Sequence, residues 1–351
     1  MDRNSRRTAF TVVLLAQLAA CTSVTTLPAG YKAPGALPAD YLRAFCYTPL
    51  PTDGTLELVK EKKRYRVFEG SITAGIESGS SDNDGDTPIT FEYYEQPTDA
   101  PVPVILLLPI LNGQKHLMRP FATTFAKRGY AVIIIDTVQR RTLLDDLKDP
   151  EPAIRQAVQR HRRVIDWVEA QPGLDVSRLG LFGASLGGFN ALFLAALDER
   201  VTAASIALVG GSLPDVLVSS NERRIVEAVT GVKAELGLDD DQLRDYLDAR
   251  IQTDTLKLAR HVNAEQVQMI LAKFDKAVPY ASQRELHDAM GQPQSVTLPT
   301  GHVTAAAYLP ALRSGVRDFL DGKLGDAAAG SKARVATATR ALCSGNAEGE
   351  H

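Results

Sequence analysis

The sequence predicts an α/β fold with a doubly wound, mostly parallel sheet, and two observations carry this prediction. Short apolar runs occur at Val102–Leu108, Ala131–Asp136, Arg178–Phe182, Ala203–Val209 and Gln266–Ala272. Such runs are typical of strands buried on both faces of a parallel sheet. Stretches of helical periodicity lie between the runs, at Leu117–Arg128, Pro152–Ala170 and Leu186–Leu197. This alternation of strand and helix predicts a sheet covered by helices on both faces.

Ahead of these elements, alternating residues at Thr55–Phe68 and Ile89–Glu95 predict antiparallel strands. The loop between them, Ser78–Asp86, is rich in Gly, Ser and Asp. Part of this loop imitates the start of a calcium-binding loop, but the glycine and glutamate required at its sixth and twelfth positions are missing. We therefore expect a solvated loop without a metal.

The amino-acid composition limits the classes of function that the protein can have. The chain has 351 residues, of which 44% are hydrophobic and 23% charged, and its net charge is -3. These values suit one large globular domain and give no basic surface for a nucleic acid partner. The chain contains no P-loop, dinucleotide fingerprint or paired zinc-ligand motif, so we expect no cofactor and no metal. The sequence does not predict an oligomeric state.

A polar, helix-forming segment over residues 213–262 interrupts the strand and helix pattern. Its acidic run Asp239-Asp240-Asp241 is typical of a helix start. We interpret the segment as a helical insertion over the carboxyl edge of the sheet. Two interpretations remain open: a lid that gates a site, or helices that only cover the sheet. Residues 326–351 are rich in Ala, Gly, Ser and Thr, and we expect a flexible tail.

The N-terminal sequence predicts that the protein is exported from the cytoplasm. Three arginines within the first seven residues precede Thr8–Ala20, an apolar run too short to span a bilayer, so residues 1–20 are expected to be a signal peptide. Leu18-Ala19-Ala20-Cys21 resembles the bacterial lipoprotein box, which implies cleavage before Cys21 and acylation of that residue. Several acyl chains on one residue give stable membrane attachment. The resemblance implies a protein of the bacterial cell envelope, facing the periplasm or the exterior. The stretch Thr22–Pro38 is rich in Thr, Pro, Ala and Gly, so we expect residues 21–45 to be a tether, with few contacts at Thr22–Pro38. An ordinary secretory signal with a chance cysteine is the alternative.

Two cysteines remain besides Cys21. An even pair in an oxidising compartment favours a disulfide between Cys46 and Cys343. Two free buried thiols are the alternative. A disulfide would join the start of the domain to the C-terminal tail.

The run Gly183-Ala184-Ser185-Leu186-Gly187 matches G-x-S-x-G, directly after a predicted strand and directly before a predicted helix. In that setting the motif forms a nucleophile elbow, a turn so tight that its flanking positions must be very small. The serine hydroxyl is then exposed at a helix N-terminus, where the Leu186 N–H can face an oxyanion. The alternative is a glycine-rich helix start with a capping serine.

A serine nucleophile needs a general base, and a carboxylate to orient that base. Of six histidines, His302 is the one that follows a predicted short strand, Gln294–Leu298, in a loop able to reach the sheet edge. Asp275 follows the strand at Gln266–Phe274 immediately, with Asp254 as its main rival and Asp136 as a lesser one. The chain order Ser185, Asp275, His302 is the one expected of α/β-hydrolases.

Through these residues the chain resembles the α/β-hydrolase superfamily. Its dienelactone-hydrolase-like and esterase-like members are the most similar, through H-R-R-V-I-D-W-V at His161–Val168 and D-V-S-R-L-G-L-F-G-A-S-L-G-G at Asp175–Gly188. The resemblance implies a serine hydrolase of the carboxylesterase type acting on a small ester or acyl substrate, with a peptidase or an acyltransferase less favoured. The alternative from another class is a non-catalytic lipoprotein that keeps the hydrolase fold as a binding or scaffold module.

One stretch departs from the family. Where many members have H-G or H-G-G-G, this chain has Leu108-Pro109-Ile110-Leu111-Asn112-Gly113-Gln114. A backbone N–H can serve as an oxyanion donor whatever the side chain. We therefore expect Leu111, with Ile110 as the alternative, to supply the second donor beside Leu186.

Overall fold

The structure is a computed structural model that describes residues 23–35, 37–47, 54–75, 87–111, 115–136 and 143–325. Within these residues ten strands form one sheet. The strands are β1 (Ser23–Thr25), β2 (Gly54–Glu61), β3 (Arg66–Ile72), β4 (Ile89–Glu95), β5 (Val102–Leu108), β6 (Ala131–Ile135), β7 (Leu174–Ala184), β8 (Val201–Ala207), β9 (Val267–Ala272) and β10 (Gln294–Leu298). The helices within these ranges are α1 (Ala39–Arg43), α2 (Lys115–Ala126), α3 (Glu151–Ala170), α4 (Leu186–Leu197), α5 (Leu213–Ser219), α6 (Arg223–Leu236), α7 (Asp240–Asp248), α8 (Thr255–Ala259), α9 (Tyr280–Ala289) and α10 (Leu309–Leu324).

The strand order is β1-β10-β9-β8-β7-β5-β6-β4-β3-β2. The six strands from β10 to β6 in this order are mutually parallel. Strands β4, β3 and β2 continue the sheet antiparallel at one edge, and β1 pairs antiparallel with β10 at the other. The fold class predicted from the sequence is confirmed.

The apolar residues of the central strands divide between two cores, because successive side chains of a strand point to opposite faces. Leu106 of β5 lies in the core formed with α3, α4, α9 and the insertion helices. Leu107, its neighbour, lies in the core formed with α2 and α10. Both side chains are fully buried. Helices therefore cover the sheet on both sides, and the carboxyl ends of the parallel strands stay available for a site.

One sequence prediction for the antiparallel edge is wrong. The stretch Thr55–Phe68 is not a single strand but a hairpin of β2 and β3, closed by a turn in which Lys62 N–H donates to the Tyr65 carbonyl at 3.0 Å. The physical reason is the basic run Lys62-Lys63-Arg64, which stays in solvent at the turn while the strands on either side pair.

The proposed tether also differs from expectation. The sequence favours few contacts at Thr22–Pro38, but β1 within this stretch pairs with β10, and in the rest of the tether Phe45 is 1% exposed. The Tyr31 hydroxyl accepts from Ala264 N–H at 2.8 Å, and the Tyr41 hydroxyl donates to the Gln252 carbonyl at 2.9 Å. Aromatic side chains thus attach the described part of this segment to the domain, whereas its Thr, Pro and Gly content suggested a loose chain.

Helices α5 to α8 occupy the predicted insertion, and the acidic run begins α7 with Asp239 as its N-cap. Asp239 and Gln242 form a capping box in which each side chain accepts from the other residue's backbone N–H. The insertion also contacts the loop after β9, because Asn221 N–H donates to the Lys276 carbonyl at 3.0 Å.

Several predictions fall on parts of the chain outside the described residues. These are the signal peptide, lipidated Cys21, the loop at Ser78–Asp86 and the tail with Cys343. Cys46 is disulfide-bonded, but its pairing with Cys343 stays a prediction. Among the described helices, none has the length and apolarity required to cross a membrane.

Candidate active site

Ser185 lies in a sharp turn between β7 and α4, at the carboxyl edge of the sheet. Its backbone has φ 51° and ψ −125°, a conformation that costs free energy for a residue other than glycine and that is typical of a nucleophile elbow. A Cβ on Gly183 would overlap the Gly187 carbonyl group, and one on Gly187 would overlap the Leu108 carbonyl oxygen. The glycines therefore let β5, β7 and α4 approach closely enough to hold Ser185 in this turn.

Three side chains from distant parts of the chain form a continuous hydrogen-bond chain. His302 Nε2 lies 3.0 Å from Ser185 Oγ, and His302 Nδ1 lies 2.7 Å from Asp275 Oδ2. The His302 side chain is 19% exposed, whereas the Asp275 side chain is fully buried. The three residues predicted as a triad are thus brought together in the order and geometry that a nucleophile, a base and an orienting acid require.

The loop after β9 fixes the Asp275 carboxylate. Its Oδ1 accepts from the backbone N–H groups of Ala277 and Val278, both at 2.9 Å. Its Oδ2, the atom that faces His302, also accepts from Gln283 Nε2 at 3.2 Å. These three donors fix the orientation of the buried carboxylate toward the imidazole.

Gln283 is a fully buried residue of α9 that sequence reasoning missed. Besides its bond to Asp275, its amide donates to the Val278 carbonyl at 2.8 Å and accepts from Ala272 N–H at 3.0 Å. It therefore joins the end of β9, the acid and the loop between them. No sequence pattern marks it, because a single glutamine in a helix is ordinarily a surface residue.

The loop that carries His302 is attached to the loop that carries Asp275. Phe274 N–H donates to the Thr300 carbonyl at 2.9 Å, and Gly301 N–H donates to Thr304 Oγ1 at 3.0 Å. His302 itself begins a short 3-10 helix, Val303–Tyr308. The first bond joins the two loops through the backbone, and the second stabilises the turn that carries His302.

The two rival carboxylates have other roles. Asp254 is the N-cap of α8, where it accepts from Leu256 and Lys257 N–H, and its second oxygen accepts from Leu213 N–H at 2.6 Å. Burial raises the pKa of the Asp254 carboxyl. Asp136 pairs with Lys115 at 3.0 Å. Both carboxylates bond to groups outside the Ser185–His302 pair.

The predicted oxyanion donors adjoin the serine. Leu186 is the first residue of α4, and the segment Ile110–Leu111 follows β5 at the wall of the same cavity as Ser185. The positions suit two backbone donors on either side of a carbonyl oxygen. The assignment of Leu111 as the second donor stays a prediction.

A cavity of about 290 Å³ opens beside Ser185 and His302. Its described lining is mostly apolar and comes from separate parts of the chain: the segment after β5, the segment before α3, the start of α3, helix α4, the insertion helices α5 and α6, and the loops that carry Asp275 and His302. The polar members are few, namely Ser185, Asn190, Glu222 and His302. Such a site binds a mainly apolar group and orients it with few polar contacts.

Glu222 is the one carboxylate among the described lining residues. It is the N-cap of α6, and its Oε2 accepts from Ile225 N–H at 3.0 Å. Sequence reasoning missed it, although an acidic residue just before a helix-forming stretch is a recognisable capping signal. No group of side chains among the described residues could hold a metal ion.

Comparisons with known proteins are consistent with this architecture. A solved acetyl xylan esterase from a Paenibacillus species is 16% identical, with a TM-score of 0.62 over 82% of this chain and 92% of that one. Acetyl xylan esterase 1 from a Thermoanaerobacterium species is 15% identical, with a TM-score of 0.58 over 84% of this chain and 99% of that one. At these identities the likeness concerns the fold, which is that of an α/β-hydrolase.

Sequence relatives match shorter stretches. An uncharacterized 31.7 kDa protein from Escherichia coli, named for the traX-finO intergenic region, is 32% identical over 126 residues, or 33% of this chain. The chain spans about 40% of the length of that relative. The model of the X-Pro dipeptidyl-peptidase family matches residues 44–309, which include Ser185, Asp275 and His302. The match confirms the α/β-hydrolase resemblance and specifies the family: the chain belongs to the S15 family of X-Pro dipeptidyl-peptidases.

Proposed function

We propose that this protein is a serine hydrolase that cleaves a carboxylic ester through an acyl-enzyme on Ser185. The single observation that supports this most strongly is the hydrogen-bond chain from Ser185 through His302 to buried Asp275. A structural serine would have no need of an imidazole that is itself oriented by a carboxylate. The reaction of such a triad requires no cofactor.

In this mechanism His302 Nε2 accepts the hydroxyl proton as Ser185 Oγ attacks the carbonyl carbon. The carbonyl oxygen becomes an oxyanion beside the N–H groups of Leu186 and Leu111. When the tetrahedral intermediate collapses, the bond to the alcohol oxygen breaks and that oxygen takes the proton from His302. Water then attacks the acyl-enzyme, gives its proton to His302, and the second collapse returns a proton to Ser185 and releases the acid.

An ester is favoured over a peptide by the cavity lining. A peptide that binds through its free amino terminus carries a buried cation and needs carboxylates to receive it. The one described carboxylate of the cavity, Glu222, already accepts a backbone N–H at its own helix N-terminus. Because the family is named for a dipeptidyl-peptidase, the peptide alternative is part of the test.

The experiment compares the purified wild type with Ser185→Ala and His302→Ala. We expect fluorophosphonate to label the wild type, and p-nitrophenyl esters to be hydrolysed faster than an X-Pro p-nitroanilide. Both variants should lose turnover by several orders of magnitude, since removing either residue disables the same unit. A folded wild type that is not labelled and hydrolyses no ester would overturn the proposal. Faster cleavage of the anilide would mean that the substrate is a peptide rather than an ester.

We also propose that Cys21 carries the lipid anchor of an envelope protein. The support is the sequence Leu18-Ala19-Ala20-Cys21 after an apolar run that itself follows three arginines. The test expresses the full chain in a bacterium fed with an alkyne-labelled fatty acid, beside Cys21→Ser. Label in the membrane fraction of the wild type alone is the expected result, and an unlabelled wild type would contradict it.

A further inference from the structure

The two sides of the proposed reaction centre are unlike. The leaving alcohol must lie within reach of His302 Nε2, because that atom gives it a proton. His302 and Val303 line the mouth of the cavity, where Val303 is 82% exposed and the nearby Phe274 is 61% exposed, so a leaving group beside His302 has an open exit. From Ser185 the same cavity leads inward between α4 and the insertion helices, where Val216 and Leu217 are buried.

The depth of the cavity follows from α4. The wall includes Leu186, Phe189, Asn190 and Phe193 of this helix, so the cavity extends from the nucleophile along the helix axis. A helix rises about 1.5 Å per residue, which gives a length on the order of 10 Å between Leu186 and Phe193. An extended chain advances about 3.5 Å for every three bonds, so this length corresponds to roughly eight or nine chain atoms.

Among the described residues of the inner wall, formed by α3, α5, α6 and the segment before α3, Glu222 is the one that could receive a polar substituent. The members of this wall from α3, α5 and α6 are aliphatic: Ala153, Ile154, Ala157, Leu213, Val216, Leu217 and Ile225. Leu143 and Leu144, just before α3, complete this side. An acetyl group would leave most of these contacts unmade, and a chain much longer than ten carbons would exceed the length along α4.

We propose that the cavity is the acyl-chain site and that the enzyme acts on esters of medium-chain, unsubstituted fatty acids, with about six to ten carbons in the acid. This inference rests on the proposed hydrolase function and adds which side of the ester the cavity holds and how long that side is. The insertion helices then determine substrate specificity, because α5 and α6 form one wall of the site.

Two isomeric esters separate the acyl side from the alcohol side. Ethyl octanoate and octyl acetate have the same composition and similar hydrophobicity, but the long chain lies on opposite sides of the carbonyl. We expect kcat/KM for ethyl octanoate to be higher by at least about tenfold. Equal values, or a preference for octyl acetate, would overturn the assignment of the cavity to the acyl chain.

Chain length is tested with p-nitrophenyl acetate, butyrate, octanoate and palmitate. We expect kcat/KM to rise from acetate to octanoate and to fall at palmitate. Activity that is highest with acetate would overturn the inference while leaving the hydrolase proposal intact. Absence of both labelling and turnover with every ester would instead contradict the hydrolase proposal itself.

Filling the cavity supplies the third arm of the experiment. Ala153 is a half-buried lining residue in the first turn of α3, and Ala153→Phe should lower the octanoate-to-acetate ratio of kcat/KM by about tenfold or more. Ala170→Phe makes the same change at the exposed end of the same helix and should keep the wild-type ratio. Ala153→Leu, a smaller step, serves if the phenylalanine variant does not fold. An unchanged ratio in the folded Ala153 variant would refute the assignment.

Discussion

Replacing Gly187 by alanine tests whether close backbone approach builds the reaction centre. A Cβ added at Gly187 would overlap the Leu108 carbonyl oxygen and would lie 2.7 Å from the Pro109 carbonyl oxygen. Backbone atoms cannot move aside as a flexible side chain can, so either the start of α4 or the segment after β5 must shift. These two segments carry the proposed oxyanion donors, Leu186 and Leu111.

The size of the effect can be bounded. Overpacking of this kind costs about 1–3 kcal/mol of unfolding free energy. Loss of one oxyanion donor lowers kcat by about 10²- to 10³-fold, or roughly 2.7–4 kcal/mol. Gly187→Ala should therefore lose far more activity than its fraction of folded protein explains, with kcat reduced more than KM is raised.

Gly231 provides the matched control. It lies inside α6, and apart from its chain neighbours and the backbone of its own helix no atom lies within 4 Å of the position of an added Cβ. Gly231→Ala should raise the unfolding free energy by about 0.5–1 kcal/mol and leave ester hydrolysis unchanged. The assay measures chemical unfolding and octanoate hydrolysis for both variants. A Gly187→Ala enzyme with wild-type kcat and stability would refute the reasoning from close approach.

Three further predictions concern single polar side chains. Gln283→Leu removes a donor to the Asp275 carboxylate and leaves Ala272 N–H unpaired. We therefore expect kcat/KM to fall about tenfold and the free energy of unfolding to fall by about 1–3 kcal/mol. A variant that is destabilised but as active as the wild type would mean that Gln283 contributes to stability alone. Burial lowers the pKa of the His161 imidazole from 6.5 to about 4. Between these pH values the unfolded chain binds a proton that the native chain does not, so the free energy of unfolding falls as pH falls, by roughly 3 kcal/mol in all. Denaturant unfolding at pH 7 and 4.5 should show a smaller loss in His161→Leu than in the wild type, and parallel losses would contradict the prediction. Glu222→Gln should raise kcat/KM for the p-nitrophenyl monoester of octanedioic acid about fivefold relative to octanoate. The reason is that the half-exposed Glu222 carboxylate repels the free carboxylate at the far end of this substrate by about 1 kcal/mol. An unchanged ratio would mean that the chain end does not approach Glu222.

The sequence was most informative where one local pattern determines one element. The strand Val102–Leu108 and the helix Leu186–Leu197 have the predicted bounds, since an uninterrupted apolar run and a glycine-flanked elbow are strong local signals. The prediction failed at Thr55–Phe68, where alternation continues through a charged turn. It also failed for the segment before residue 45, because pairing of β1 with β10 depends on residues at the other end of the chain.

The candidate site likewise has residues that the sequence predicts and residues that it does not. Ser185, Asp275 and His302 could be chosen because each follows a strand and their chain order is distinctive. Gln283 and the cavity could not be chosen, because the lining comes from several segments with no shared local pattern. Sequence therefore indicated the chemistry, whereas the shape that selects a substrate required the folded chain.

The pairing of β1 with β10 also constrains how the protein is made. Thr25 Oγ1 lies 2.6 Å from Ser295 Oγ, and 270 positions separate the two residues along the chain. A contact this distant in sequence cannot form until nearly all of the polypeptide has emerged. At about 5–20 residues per second the N-terminal strand waits on the order of tens of seconds for its partner. During that interval Ser23–Thr25 have no partner strand, so the proposed acylation of Cys21 could precede completion of the sheet at this edge.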